Sequence, residues 1–551
     1  MEITARNVLH LVVSYDNIPP GRRGRHNIRL KYFCCSIPML QLFYWVLGGR
    51  KMYNVLEWLE ESQEKYSDKI AVIDEMDAVT YDELVNVSKA IGSKLAAVTG
   101  MRKPIAVLAD KGIDTLSTFF GIVYAGCFYV SFNPELPEVR LNQVQSVLNA
   151  EYIITDEEHL DRAKSLVSED KILLIEDLKQ ASIDESALKD IRRKAIDTDP
   201  LYANFTSGST GVPKGVVVSH RSVIDFISVF TDLFDFNHMD IIGNQAPFDF
   251  DVSVKDIYSS IRMGATLVII PRKYFSKPVE LLDFICEKKI TTMTWAVSAL
   301  CLITTFHGLD YKVPESVNKI LYSGEVMPLK HLKEWMSHLP NAKFVNVYGP
   351  TEITCNCTYH IIDRNRDYEG GVPIGNAFPN EHVFLLSEDN KEVTDVDVAG
   401  EICVRGTALA LGYYKAKEQT EKNFVQNPLN DSYIDMIYRT GDLGKYNANG
   451  EIVFCGRKDF QIKHMGHRIE LEEVEAAMAK IEGIERVCCV FDDVKSKLYG
   501  FYIGDMDKKE LHRRMSEKLP AFMIPNALRK VEQMPLTKNG KIDRKQLLGG
   551  K

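Results

Sequence analysis

From Met52 onward the chain alternates two hydrophobic patterns. Short apolar runs, Ile105–Ala109, Tyr152–Thr155, Ile172–Ile175, Thr266–Ile270, Ile320–Tyr322 and Phe344–Val347, read as strands. Amphipathic stretches lie between them; Thr115–Tyr124 follows the first strand and reads as a helix. Strands separated by helices predict an α/β fold, with parallel or mixed sheets flanked by helices in a large N-terminal domain. Past Pro373 the texture changes to short strands with Gly and Asn turns, as at Gly400–Gly406 and Asn447–Gly450, which predicts a β-rich subdomain. A third pattern closes the chain: a helix from Leu471, a strand around Val487–Phe491 and a helix from Lys508, the outline of a small α+β domain. Turn and charged residues meet at Gly456-Arg-Lys-Asp459. The expected division is a large domain over 52–458 and a small C-terminal domain over 459–551, without internal repeats.

The first 51 residues do not share this patterning. Arg22, Arg23, Arg25 and Arg29–Lys31 precede an apolar run, Tyr32–Leu47, broken by Pro38 and Gln41. The run is shorter than the ~20 residues of a membrane span. The basic region also begins too far from Met1 for a signal peptide. Residues 1–51 therefore read as an extension: a misassigned start with Met52 as the true first residue, ahead of a disordered or interfacial segment, with a membrane anchor least favoured.

Composition narrows the class. A 45% hydrophobic and 26% charged chain of 551 residues is that of a soluble globular protein. A net charge of −9 without a basic face argues against nucleic acid as a partner. The 11 cysteines show no paired C-x-x-C spacing, which points to a reducing, cytoplasmic compartment and away from disulfides or zinc.

Candidate chemistry starts at Thr206-Ser-Gly-Ser-Thr-Gly-Val-Pro-Lys-Gly215. Glycines Gly208 and Gly211 let backbone amides approach anionic oxygens, the hydroxyls of Thr206, Ser207, Ser209 and Thr210 add donors, and Lys214 supplies a mobile charge. The spacing is not that of a Walker loop. A solvated linker is the rival reading, but Tyr202–Phe205 and Gly215–Ser219 read as strands that hold the loop between them. Asn346-Val-Tyr-Gly-Pro-Thr-Glu352 leaves a strand through a Gly-Pro turn; at a strand's C-terminal edge Glu352 could hold Mg²⁺ and Tyr348 stack on a base, the rival for Glu352 alone being an ordinary surface acid. Asp442, after a glycine turn in Tyr438–Leu443, suits a ribose diol; Arg457 offers a phosphate-binding fork. Gly466–Glu475 follows, and Lys541 stands on an Asn-Gly loop near the C-terminus.

These segments, in this order, strongly resemble the adenylate-forming superfamily, especially the amino-acid-activating adenylation enzymes of nonribosomal peptide synthesis and the D-alanine–carrier-protein ligases. Thr80-Tyr-Asp-Glu-Leu84, Phe250-Asp-Val-Ser253, Gly400–Ile402 through Gly412-Tyr413, and Leu519–Pro525 belong to the same resemblance, which covers roughly Tyr53 to Leu548. The resemblance implies that Thr206–Lys214 wraps the β- and γ-phosphates of ATP. It implies that Glu352, with a hydroxyl of Thr206–Thr210, holds Mg²⁺, and that Tyr348, Gly349 and Thr351 lie along the nucleotide. Asp442 would take the ribose hydroxyls and Arg457 would lie near ribose and phosphates. Lys541 would bridge the substrate carboxylate and the α-phosphate, on a small domain that is mobile and rotates about a hinge at Asp459.

By the same resemblance Asp251 receives the α-ammonium of an amino acid, the rival being an acid that interacts with the dipole of the helix it starts. Val252, Lys255, Thr294, Leu321, Ser323, Val347, Cys355 and Asn356 would form the side-chain pocket. Two departures stand out: Ser323 replaces the cysteine usual in D-alanine ligases, and Lys255 replaces an apolar residue. Lys255 either pairs with Asp251 one helical turn away or meets a substrate carboxylate. The expected substrate is D-alanine or another small or polar amino acid, and the expected acceptor is the phosphopantetheine thiol of a separate carrier protein, which Arg513-Arg514 would help to meet. Two alternatives were weighed: an acyl-CoA synthetase of the same fold and a catalytically silent binding homologue. Neither membrane nor nucleic acid is an expected partner.

Overall fold

The structure, a computed structural model, describes residues 52–208, 212–492, 495–536 and 542–549. The expectations placed on 1–51, on Ser209, Thr210 and Gly211, and on Lys541 itself lie outside the described residues. Three sheets build the larger part of the molecule. In a nine-stranded sheet, the strands from Lys343–Tyr348 through Lys319–Ser323, Thr292–Ala296, Ile241–Asn244 and Thr266–Ile269 to Ile70–Ile73 run parallel, with antiparallel strands at both edges. Thr292–Ala296 and Lys319–Ser323 are buried at every position, which is why Ile320–Tyr322 reads as an unbroken apolar run rather than an alternation. Lys319 tolerates that burial because Asp240 pairs with it at 2.8 Å.

A second, seven-stranded sheet carries Pro104–Leu108, Phe128–Phe132 and Pro200–Thr206 in parallel, and Lys214–Ser219 folds back antiparallel on Pro200–Thr206. The loop singled out in the sequence is thus the turn of a hairpin. The helix Val252–Met263 is almost wholly buried and ends at Gly264, whose φ of +65° gives the left-handed helix stop. Tyr81–Ala96 starts with a full capping box between Thr80 and Glu83, a local reason for the Thr80–Leu84 motif. Ile175, read as a strand end, instead opens the short helix Ile175–Lys179, whose first turn carries Glu176 and Asp177.

The β-rich part is an antiparallel sheet of Glu381–Leu386, Ala399–Gly406, Met436–Tyr446, Phe424–Gln426 and Ile452–Arg457. After it come the hairpin Gln461–His464/His467–Glu470 and a three-stranded sheet of Ile484–Asp492, Lys497–Gly504 and Ala527–Lys530. This C-terminal part has its own apolar core of Ile469, Val474, Met478, Leu511 and Met515.

Candidate functional site

The parallel strands of both large sheets end at one cleft. Ser323 closes Lys319–Ser323, Phe132 closes Phe128–Phe132 and Thr206 closes Pro200–Thr206, and all three line it. This is where open α/β sheets bind ligands, because strand ends leave backbone groups and loops free there.

The residues expected to meet a nucleotide interact with one another. The Tyr348 hydroxyl donates to one oxygen of Asp442, and Arg457 pairs with the other. Arg457 also forks onto Asp459, at 2.6 and 2.8 Å, so the proposed hinge residue is tied to the proposed ribose carboxylate through one guanidinium. Lys463 lies 5.3 Å from the Tyr348 ring centroid. Burial pulls the Lys463 ammonium below its ordinary range, against the attraction of Asp442. Gly349 must be glycine: a Cβ there would stand 2.5 Å from the Asn356 Cα and 2.7 Å from the Cys355 carbonyl oxygen, because the chain folds back on itself. Gly208 is equally constrained, since a Cβ would meet the Val212 carbonyl at 2.2 Å. Among the described residues the buried Thr206 hydroxyl, at the head of the loop, has no hydrogen-bond partner.

Glu352 is 1% exposed. One of its oxygens accepts from Tyr413 at 2.8 Å, and both accept from Arg468, at 2.9 and 3.0 Å. Burial pushes the carboxyl up, but Arg468 and the Tyr413 hydroxyl more than offset it and hold it below the usual range. Among the described residues no cluster of three metal-ligating side chains forms. The donor set fits Mg²⁺ in its ordinary manner, one carboxylate completed by substrate phosphates, provided that Arg468 releases the oxygens. Lys214 lies beside this group, 5.4 Å from the Tyr413 ring, its ammonium held down by burial and by Arg468.

Asp251 lines the same cleft, immediately before Val252–Met263. Its side chain makes no capping hydrogen bond to that helix, so the helix-dipole reading lacks its usual contact. The carboxylate instead faces the cleft with Val252, Ser323, Gly324, Cys355 and Asn356. Burial pushes it up, opposed by the Thr351 hydroxyl and by Lys255 and Lys463. Lys255 forms no ion pair with Asp251; its Nζ donates to Asn356 Oδ1 at 3.1 Å and to Ser323 Oγ at 3.4 Å. Thr294, Leu321 and Val347 lie behind the cleft surface rather than on it, all fully buried or nearly so, and the Thr294 hydroxyl donates to Asp256.

The small C-terminal part reaches into the same cleft. Its lining residues are Gln461, Lys463, Gly466, His467 and Arg468 of the hairpin, with Pro520, Phe522 and Met523. His467 stacks on Phe522 with centroids 3.7 Å apart and meets Phe250 edge-on at 4.7 Å. The Gly466 amide donates to Glu325 at 3.2 Å. Ser207 donates to the Arg468 carbonyl at 2.8 Å, and the Gly208 amide donates to Glu473 at 3.2 Å. Glu473 also pairs with buried Arg140 at 2.6 Å. Leu536 and Ile542, which flank the undescribed residues 537–541, pair with each other and do not line the cleft. Arg513 and Arg514 are ion-paired with Glu510, and Arg513 also with Glu517, so little free positive charge remains there.

Arg140, Lys463, Arg468 and Glu473 were not singled out from the sequence. Arg468 and Glu473 stand in the segment Gly466–Glu475 noted after Asp459 and Lys463 just before it, and their position after Asp459 was the available signal. Arg140 had none, being one charge on an ordinary helix, Glu138–Leu148.

Two sheets whose strand ends share a cleft, a hydroxyl-rich hairpin loop and a small domain laid over both define a nucleotide-dependent ligase architecture. The family model for AMP-binding enzymes matches residues 59–414, and the model for the AMP-binding enzyme C-terminal domain matches 473–541. The chain belongs to the AMP-binding enzyme family and is an adenylation enzyme of the adenylate-forming superfamily. It is 32% identical over 499 residues to tyrocidine synthase 3 of Brevibacillus parabrevis, covering 89% of this chain and 7% of that protein. It is 30% identical over 501 residues to zwittermicin A synthase ZmaJ of Bacillus cereus, covering 89% of this chain and 93% of that one. Thus the chain spans a small fraction of the first of these relatives and nearly all of the second. Among solved structures, the Vibrio cholerae adenylation domain AlmE in complex with glycyl-adenosine-5'-phosphate superposes with a TM-score of 0.79 at 22% identity, over 91% of this chain and 99% of that one. Holo-PA1221, a nonribosomal peptide synthetase protein containing adenylation and PCP domains, superposes with a TM-score of 0.77 at 23% identity, over 90% and 84%.

Proposed function

We propose that the protein activates an amino acid with ATP and passes it to the phosphopantetheine thiol of a carrier protein. In the first step a substrate carboxylate oxygen attacks the α-phosphorus, the bond to pyrophosphate breaks, and aminoacyl-AMP remains. In the second a thiolate attacks the acyl carbon and AMP leaves. The observation that carries the reading is Asp251: a carboxylate uncommitted to its helix, on the same cleft that Asp442 lines. An α-ammonium needs such a partner, and a fatty or aryl acid does not. Support also comes from the relatives, peptide synthases at about 30% identity.

Within this reading Asp442 and Tyr348 take ribose and base, while Thr206, Ser207, Gly208 and Lys214 receive the phosphates beyond the α position. Mg²⁺ on Glu352 would neutralise charge on those phosphates. Anion meets anion in this reaction, so cations fixed before the transition state supply much of the acceleration. Lys541 is assigned to the carboxylate and α-phosphate, and rotation about Asp459 brings it in and withdraws it. The contacts of Arg468 with Glu352 and of Glu473 with Gly208 support two positions of the small domain, since they occupy the groups that Mg²⁺ and phosphate require. The side chain is small or polar, D-alanine being one acid of that class. Pyrophosphate exchange with the twenty amino acids and D-alanine tests the reading: an amino acid supports exchange, whereas exchange with only a fatty or aryl acid overturns it.

A further inference from the structure

Resting on the reading of this cleft as an amino-acid site, the lysine beneath its floor identifies the side chain it takes. Lys255 is fully buried. Its ammonium meets neutral groups: Asn356 Oδ1 at 3.1 Å, Ser323 Oγ at 3.4 Å and the Cys355 thiol. All three residues line the cleft, so the charge lies directly behind the surface that a substrate side chain touches.

The acids near Lys255 are engaged elsewhere. Asp251 interacts with the Thr351 hydroxyl and faces the substrate ammonium. Asp256 accepts from Thr294 and from Asn244, the latter at 2.9 Å, and burial pushes it up to about 7, which weakens it as a counter-charge. Lys111 adds a second buried cation beside Asn244, pulled down to about 7 by burial. An ammonium removed from water carries a large desolvation cost, which these dipoles and the attraction of Asp251 and Asp256, each engaged with other donors, offset only in part. An apolar substrate side chain leaves that cost in place, and a carboxylate offsets it.

Spacing agrees with charge. Asp251 and Lys255 are one turn apart, about 6 Å along the axis at 1.5 Å per residue, a separation compatible with that between the ammonium and the distal carboxylate of a short amino acid. We propose that the acid activated here is a dicarboxylic α-amino acid of the aspartate–glutamate class, whose side-chain carboxylate is received by Lys255 at the floor formed by Asn356, Ser323 and Cys355.

Pyrophosphate exchange by the full-length protein is measured with aspartate, asparagine, glutamate, glutamine, serine, glycine, both alanines and valine, and repeated with Lys255→Met. In the parent a dicarboxylic acid is the best substrate and exceeds its own amide by at least about ten-fold in kcat/KM. In Lys255→Met that preference falls by on the order of 10²-fold and the ranking turns toward neutral side chains. A neutral amino acid ranking first in the parent, or an unchanged ranking in a folded Lys255→Met protein, overturns the inference and leaves amino-acid activation standing. Exchange with no amino acid overturns both. Should Lys255→Met fail to fold by thermal melting, the acid-versus-amide comparison in the parent decides alone.

Discussion

Single residues of the cleft have separable proposed roles. Asp251 is proposed to hold charge against the substrate ammonium, and Asp442, fixed by Tyr348 and Arg457, to take the ribose. Asp251→Asn keeps shape and removes charge. It is expected to lower kcat/KM for the amino acid by about 10²–10³-fold, with the KM for ATP changed little. Steady-state exchange with each substrate varied in turn checks this, and an equal effect on both constants returns Asp251 to a structural role. Gly208 and Gly349 were legible in the sequence because close backbone approach demands glycine whatever surrounds it. The partner of Glu352 was not legible. Arg468 lies more than a hundred residues away in sequence, and no local pattern links a buried acid to a particular guanidinium.

At the scale of elements, the helix Leu56–Tyr66 is anchored by a contact from afar. The Val55 amide, at the start of that helix, donates to Nδ1 of buried His220 at 3.3 Å. The ring is therefore neutral, and burial pulls its pKa down to about 3 from 6.5. An unfolded chain binds the proton across that window and the folded chain does not, so the contribution is complete above pH 6.5 and lost as pH falls toward 3. His220→Gln keeps a polar acceptor and does not titrate. Between about pH 7 and about pH 4.5 its melting temperature is expected to fall less than the parent's, and equal falls by calorimetry exclude the mechanism. The anchor of Leu56–Tyr66 on the strand-following helix His220–Leu233 has no signature in the local sequence.

Across the whole molecule, the small domain sits with its hairpin in the cleft, held by Arg140–Glu473, Arg468–Glu352 and the Phe250–His467–Phe522 stack. Glu473 occupies an amide assigned to phosphate, so this arrangement and triphosphate binding compete. Glu473→Ala leaves Arg140 without its partner unless the domains part. The variant is expected to lower the KM for ATP by about ten-fold and to slow transfer to the carrier thiol. An unchanged KM removes the competition. Lys541→Ala is expected to abolish adenylate formation while largely sparing transfer from supplied adenylate, measured in separate half-reaction assays; equal loss of both steps sinks the rotation account.

By itself the sequence determined the order of elements and the family, and it singled out the loop and the acid to which phosphate and ammonium binding are assigned by proposal, because apolar periodicity, glycine need and motif order are local properties of the chain. Only the tertiary structure decided which charges face each other. It separated Lys255 from Asp251 and set its ammonium behind the cleft floor, and it placed Arg468 on Glu352 and Glu473 on the phosphate loop. Those pairings join segments far apart in the chain, and burial, which sets their strength, exists only once the sheets and the small domain have packed.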